Sequence, residues 1–167
     1  MLIRAEAHAD RKAVHAVNTH AFETAAEAHL VDALRERAKP VVSLVAEHED
    51  TIVGHIMFSP VLLIGHAELQ IMGLAPMAVV RVHQGQGIGT ALVRAGIERC
   101  ASLRVGAVVV LGHPTYYPRF GFVPASRWNI RCEYDAPPEA FMAIELQAGY
   151  LDGKAGTIRY HEAFAQV

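Results

Sequence analysis

Apolar and polar positions change rhythm several times along this chain, and each change marks an element. Leu2 to Glu6 alternates residue by residue, the period of a short strand. From Asp10 the spacing becomes helical, with Ala13, Val14 and Val17 on one stripe. A second helical segment starts near Thr24, where Thr24-Ala25-Ala26-Glu27 fits a capping box. Its stripe is Ala28, Val31, Leu34 and Ala38, and Pro40 ends it. Val41 to Glu47 and Thr51 to Phe58 are β-branched runs about Glu49-Asp50, the pattern of a hairpin, and Val61 to Ile64 is a third short run beyond Pro60.

Glu68 to Val82 reads as one long central strand. Within it Pro76 cannot donate to a ladder, so a bulge or break in pairing is expected there. Gly87 to Leu103 carries the strongest helical pattern: Leu92, Val93, Gly96, Ile97 and Cys100 share one stripe while Arg94 and Glu98 face away. Val105 to Leu111, bounded by Gly106 and Gly112, has the continuous apolar run of a strand buried on both faces. A short helix is expected at Thr115 to Phe120, ended by Gly121, then strands at Trp128 to Tyr134 and Ala140 to Leu146. Strand, helix, strand in mid-chain implies a parallel crossover, and the hairpins around it make the sheet mixed. The expected fold is α/β, or α+β, with about six or seven strands and about four helices.

Composition narrows the class. The 167 residues are 52% hydrophobic and 19% charged, which excludes disorder and fits one domain over residues 1–167. With 15 basic and 17 acidic side chains there is no sequence-wide positive excess for a nucleic-acid backbone. No apolar run approaches the roughly 18 to 20 residues of a membrane span; the longest, Ile71 to Val80, is interrupted by Gly73 and Pro76. Arg4, Glu6, Asp10, Arg11 and Lys12 leave no apolar core for a signal peptide. Cys100 and Cys132, the two cysteines, are expected as buried free thiols in a reducing cytoplasm.

The chemistry is concentrated in Gln84-Gly85-Gln86-Gly87-Ile88-Gly89-Thr90, between the central strand and the strongest helix. A helix start offers unpaired N–H groups and a partial positive charge, and glycines let an oxygen-rich ligand approach the backbone. The turn therefore reads as a phosphate or pyrophosphate cradle, with Arg81 and His83 adding positive field. No Gly-Lys-Ser/Thr follows, so it is not a P-loop. The dinucleotide pattern would need glycine at Thr90 or Leu92, and an acidic residue near Val108 to Leu111, and has neither.

Gln84-x-x-Gly87-x-Gly89, following Met77-Ala78-Val79-Val80, resembles the Q/R-x-x-G-x-G/A signature of the GNAT superfamily of N-acetyltransferases. Gly54-His55-Ile56-Met57-Phe58-Ser59-Pro60, Leu111-Gly112-His113-Pro114, Tyr116-Tyr117-Pro118-Arg119-Phe120-Gly121-Phe122 and Glu139-Ala140-Phe141-Met142-Ala143 are similar to segments of one subgroup of acetyltransferases within it, in the same order. That resemblance implies a GNAT fold in which two parallel central strands splay apart around acetyl-coenzyme A (acetyl-CoA). Backbone groups of Ala78, Val79 and Val80 would meet the pantetheine arm, and amides of Gln84, Gly85, Gln86, Gly87, Ile88, Gly89 and Thr90 would hold the pyrophosphate.

The implied reaction is direct transfer of an acetyl group to the primary amine of a small molecule or peptide. An N–H near Val79 or Val80 would stabilise the oxyanion. Tyr117 stands at the position of the family's proton-donating tyrosine, with Tyr116 its neighbour. A phenol keeps its proton at neutral pH and can give it to the departing thiolate. The base is open among Glu23, Glu27, His55, Glu68 and His113. By the same resemblance the first two helices, the Ser59-Pro60 turn and the C-terminal strands would form the acceptor pocket, with Phe22, Phe58, Trp128 and Phe141 as candidate apolar wall. The 10 histidines show no HExxH or paired spacing, so no metal is expected. A homodimer is compatible with exposed strand edges. A catalytically silent CoA or acyl-CoA sensor is the competing reading, and an intact Tyr117 argues against it.

Overall fold

A computed structural model describes all residues, 1–167. In chain order the elements are β1 (Leu2–Ala5), α1 (Arg11–Phe22), α2 (Ala26–Arg37), β2 (Val42–His48), β3 (Thr51–Leu63), β4 (Ile71–Val79), α3 (Ile88–Ser102), β5 (Ala107–Leu111), β6 (Val123–Pro124), β7 (Ile130–Cys132), β8 (Phe141–Glu145) and β9 (Gly156–Arg159). The sheet runs β1-β2-β3-β4-β5-β8-β6, with β9 pairing both β3 and β7. Most neighbours are antiparallel, while β4–β5 and β7–β9 are parallel, the first pair joined by α3 as its crossover. The mixed α/β sheet is as the sequence pattern implies, but with nine strands and three α-helices.

Side-chain alternation along β3 assigns the layers. A Cβ on Gly54 would meet Ile88 and Leu92 of α3, whereas the next residue, His55, bonds Asn18 of α1. Successive strand residues face opposite sides, so α3 covers one face and α1 with α2 the other. Ile56, Phe58, Met72, Leu74, Leu92, Val93 and Cys100 form the core beneath α3; Val14, Val31, Leu34, Val45 and Met57 form the core beneath α1 and α2.

Several local expectations change. The run beyond Pro60 is no separate strand: β3 continues through it to Leu63. Pairing with β2 ends at Phe58, so the missing Pro60 N–H forfeits no bond along that vacated edge. The central strand is shorter than expected, Ile71–Val79 rather than Glu68 to Val82. Trp128 to Tyr134 divides into a 3-10 turn over Ala125–Trp128 and the three-residue β7. Thr115 to Phe120 tightens to a 3-10 turn, Tyr117–Phe120, closed by Gly121 at φ 101°. The capping box at Thr24 does not close: Thr24 Oγ1 accepts from the Ala26 N–H at 3.4 Å, and Glu27 does not answer the Thr24 backbone. Cys100 and Cys132 are free; Cys100 is buried and Cys132 half-buried. No helix is long and apolar enough to cross a membrane.

Candidate active site

β4 and β5 are paired at Ile71–Ala107, Met72–Val108 and Gly73–Val109, and there the pairing stops. β4 continues to Val79 bound only to β3, and β5 continues to Leu111 bound only to β8. The two strands therefore part beyond Gly73 and leave a wedge-shaped gap. The β3–β4 register shifts between Ile56 and Phe58, opposite Ala75-Pro76, so the expected bulge at Pro76 sits where the gap opens.

Ladder alternation then fixes which β4 groups face the gap. The Val80 N–H is donated to the Val53 carbonyl at 2.9 Å. In an antiparallel pair hydrogen-bonded and non-hydrogen-bonded positions alternate, so Ala78 also turns its backbone to β3 while Val79 and Met77 turn theirs outward. The Val79 carbonyl confirms the direction by accepting from Gln84 Nε2 at 2.9 Å, a bond that folds the glycine turn back over the strand end.

That turn leads into α3, whose N-cap is Gly87 at φ 85° with no side-chain cap. The first intrahelical bond at this end runs from Ala91 N–H to the Gly87 carbonyl, leaving the N–H groups of Ile88, Gly89 and Thr90 without helical partners. Gly85 at φ 75° and Gly87 both adopt the left-handed region, and a Cβ on either would enter open space. A cavity of about 350 Å³ lies over them, lined by Val79, His83, Gln84, Gly85, Gly87, Ile88, Gly89, Thr90, Tyr116 and Arg119. Gln86 is exposed and outside this lining, and the Ile88 side chain is in the core. Arg81 is paired with Glu23 at 2.6 Å, so its charge is shared. Sequence reading missed Arg119 as a cation of this cavity. It sits 4.3 Å over the Tyr116 ring and donates Nε to the Tyr116 carbonyl at 2.8 Å. The i,i+3 spacing of Tyr116 and Arg119 was the available signal.

A second cavity, of about 330 Å³, occupies the gap itself, between Leu74 to Met77 of β4 and Val110 and Leu111 of β5. Phe22, Glu27, Leu30, Tyr117, Phe164 and Val167 complete it. Tyr117 is 8% exposed, and its ring lies against Gly112, where a Cβ would fall 2.5 Å from Tyr117 Cε2. Burial, with a smaller contribution from Tyr116, pushes the Tyr117 phenol up to about 12.

Of the candidate bases, only Glu27 lines this cavity. Glu23 is paired with Arg81, Glu68 lies on an exposed turn, and His113 is exposed. His55 is fully buried and held near 3, by desolvation first and Arg35 second, so it is neutral in the working range. The apolar wall also differs from expectation. Phe22 lines the cavity, but Phe58 is sealed under α3, Trp128 packs against a third core that includes Leu63, Ile130 and Leu151, and Phe141 lines a separate cavity. The C-terminal contribution comes from Phe164 and Val167 rather than from strands.

A mixed sheet split between two parallel strands, with an uncapped helix start and a glycine turn at the mouth of the split, is the architecture of the acyl-CoA N-acyltransferases. The chain belongs to the acetyltransferase (GNAT) family, which residues 8–122 match. It is 39% identical over 165 residues, covering 98% of both chains, to the uncharacterized N-acetyltransferase YhbS of Escherichia coli (strain K12). Its structure superposes on that of E. coli YhbS in complex with CoA with a TM-score of 0.91, at 37% identity, covering 98% of this chain and 91% of the other. A GNAT acetyltransferase from Brucella melitensis in complex with acetyl-CoA gives a TM-score of 0.80 at 35% identity, covering 98% and 97%.

Proposed function

We propose that this chain binds acetyl-CoA across the two adjoining cavities and transfers the acetyl group to a primary amine by direct attack in a ternary complex. The observation that carries this reading is the juxtaposition of the cavities. Both border β4, one at Val79 beside the uncapped start of α3 and the other at Met77 beside Tyr117. A diphosphate suits the first, where three partnerless N–H groups, His83 and Arg119 converge. A pantetheine amide suits the outward backbone of β4, which is an unpaired strand edge. The bound donor supplies a thioester, an acyl group already activated toward amines.

The residues do the rest. The outward Met77 N–H, on the stretch of β4 that borders the gap with Tyr117, is the donor for charge developing on the acyl oxygen; Val79 borders the diphosphate cavity, and the Val80 N–H is already given to Val53. Tyr117, still protonated at working pH, is the donor that protonates the leaving sulfur. Full transfer from a phenol near 12 to a thiolate of ordinary pKa about 8.5 runs roughly 5 kcal/mol uphill, small beside a catalysed barrier. The apolar lining keeps competing water from the reacting carbon.

The test is thiol release from acetyl-CoA over a panel of primary amines, with calorimetry of CoA binding alongside. Amine-dependent thiol release that disappears without the amine is expected. Tight CoA binding with no release on any amine would replace this reading with a sensor.

A further inference from the structure

We infer that the acceptor is a small primary monoamine with an apolar arm, aliphatic or aromatic, and that Glu27 meets its ammonium head. The inference rests on the acyl-transfer reading and narrows it. The acceptor must enter the gap cavity, because Tyr117 and the outward face of β4 are there. This cavity, about 330 Å³, also receives the acyl end of the donor, so the room left suits a small acceptor. Phe22, Leu30, Pro76, Leu111 and Phe164 dominate its wall. Phe22 and Leu111 are 38% and 40% exposed. Large apolar side chains left open on a concave wall mark a surface that buries an apolar partner.

The charges are equally selective. Glu27 is the one charged side chain in the lining, so the side chains offer a counter-charge to a single ammonium. A polyamine would leave further ammonium groups in an apolar wall without a counter-charge. An amino acid would bring a carboxylate, and no cation lines the cavity: Arg81 is engaged by Glu23, and Arg119 lines the other cavity. Glu133 and Asp135 line a third cavity, of about 650 Å³. The rings of Phe164, Tyr160 and Tyr134, with centroids 5.1 and 5.8 Å apart, stack in series between that lining and this one. Those carboxylates are thus held away from the amine.

The balance closes. The amine lone pair forms the C–N bond as the C–S bond breaks. Of the two protons the ammonium loses, one leaves to solvent by way of Glu27. The other replaces the one that Tyr117 gives to sulfur.

Two measurements test this. In thiol release, kcat/KM is expected to rise about fourfold per methylene from propylamine to hexylamine, the transfer free energy of a buried CH2. Phenethylamine should also exceed spermidine and glycine at least tenfold. Preference for spermidine or glycine would overturn the acceptor class while leaving acyl transfer intact. In calorimetry on the CoA-saturated protein, phenethylamine is expected to bind, at least tenfold more weakly in Glu27→Gln, with CoA affinity unchanged. Glu27-dependent binding without turnover on any amine would uphold the pocket assignment and remove acyl transfer. Absence of phenethylamine binding, or binding indifferent to Glu27→Gln, would overturn the proposal.

Discussion

Tyr116 and Tyr117 are adjacent in sequence and pack edge-on with centroids 5.0 Å apart, yet they serve different cavities. Tyr116 Oη lies 3.2 Å from Thr90 Oγ1 at the start of α3 and lines the glycine-turn cavity. Tyr117 lines the gap where acyl transfer is proposed. The pair therefore offers an internal control.

Tyr117→Phe is expected to lower kcat about 100-fold, the lower end for loss of a general acid, with acetyl-CoA KM within about twofold. Tyr116→Phe should leave kcat nearly unchanged and raise acetyl-CoA KM modestly, because Thr90 loses a partner. Because burial holds the Tyr117 phenol near 12, wild-type kcat should show no alkaline fall from tyrosine ionisation below pH 10. Steady-state kinetics across pH 7 to 10 distinguish these outcomes; equal effects of the two variants would remove the assigned division of labour.

The glycine turn makes its own demand. Gly87 at φ 85° caps α3, and an added Cβ there would strain the left-handed backbone and occupy the space over the free N–H groups. Gly87→Ala should weaken CoA binding at least tenfold by calorimetry and lower stability by about 1 kcal/mol. An unchanged CoA affinity would place the diphosphate elsewhere.

Periodicity was a good guide wherever an element's burial is set by its own stripe. The helix carrying Leu92, Val93, Gly96 and Cys100 and the doubly buried run ending at Leu111 were legible for that reason. The hairpin was legible too: Glu49 and Asp50 both take positive φ, as a two-residue type I′ turn requires. Elements held by remote partners were not. β9 exists because Leu62 and Leu63 of β3 and the short β7 flank it, and nothing in its own residues announces that. Glu27 was ambiguous because a capping box and a cavity carboxylate look alike in sequence; only the open geometry at Thr24 separates them. Arg119 acquires its role from a cavity formed by residues about 30 positions earlier.

Gly96 gives a test of packing against propensity. It lies inside α3, where Gly→Ala normally stabilises by about 1 kcal/mol. Here a Cβ would fall 2.1 Å from Cε1 of Phe58, which is fully buried. Overpacking of that kind costs about 1 to 3 kcal/mol, so Gly96→Ala is expected to destabilise, lowering the urea midpoint. Adding Phe58→Leu should recover part of the loss, and a stabilised Gly96→Ala would show that the Phe58 ring can move aside.

His55 predicts how the fold responds to acid. Asn18 Nδ2 lies 3.1 Å from its Nδ1 and Ser43 Oγ lies 2.8 Å from its Nε2, while Ser43 donates its own proton to Glu6. With that proton committed, Nε2–H must donate to Ser43 and Nδ1 must accept from Asn18. Both ring nitrogens are thus satisfied only in the neutral ring, and Arg35, bonded to Glu6, further opposes a charge. The folded pKa, about 3, is depressed from the ordinary 6.5. The unfolded chain therefore binds the proton first, and stability held above pH 6.5 is lost as pH falls from 6.5 toward 3, with a slope of at most about 1.4 kcal/mol per pH unit. In His55→Gln, which bonds without titrating, this slope should flatten, even if stability at pH 7 is lower. Urea unfolding at pH 5, 6 and 7 measures it. Equal pH slopes in the two proteins would mean that His55 does not govern acid sensitivity.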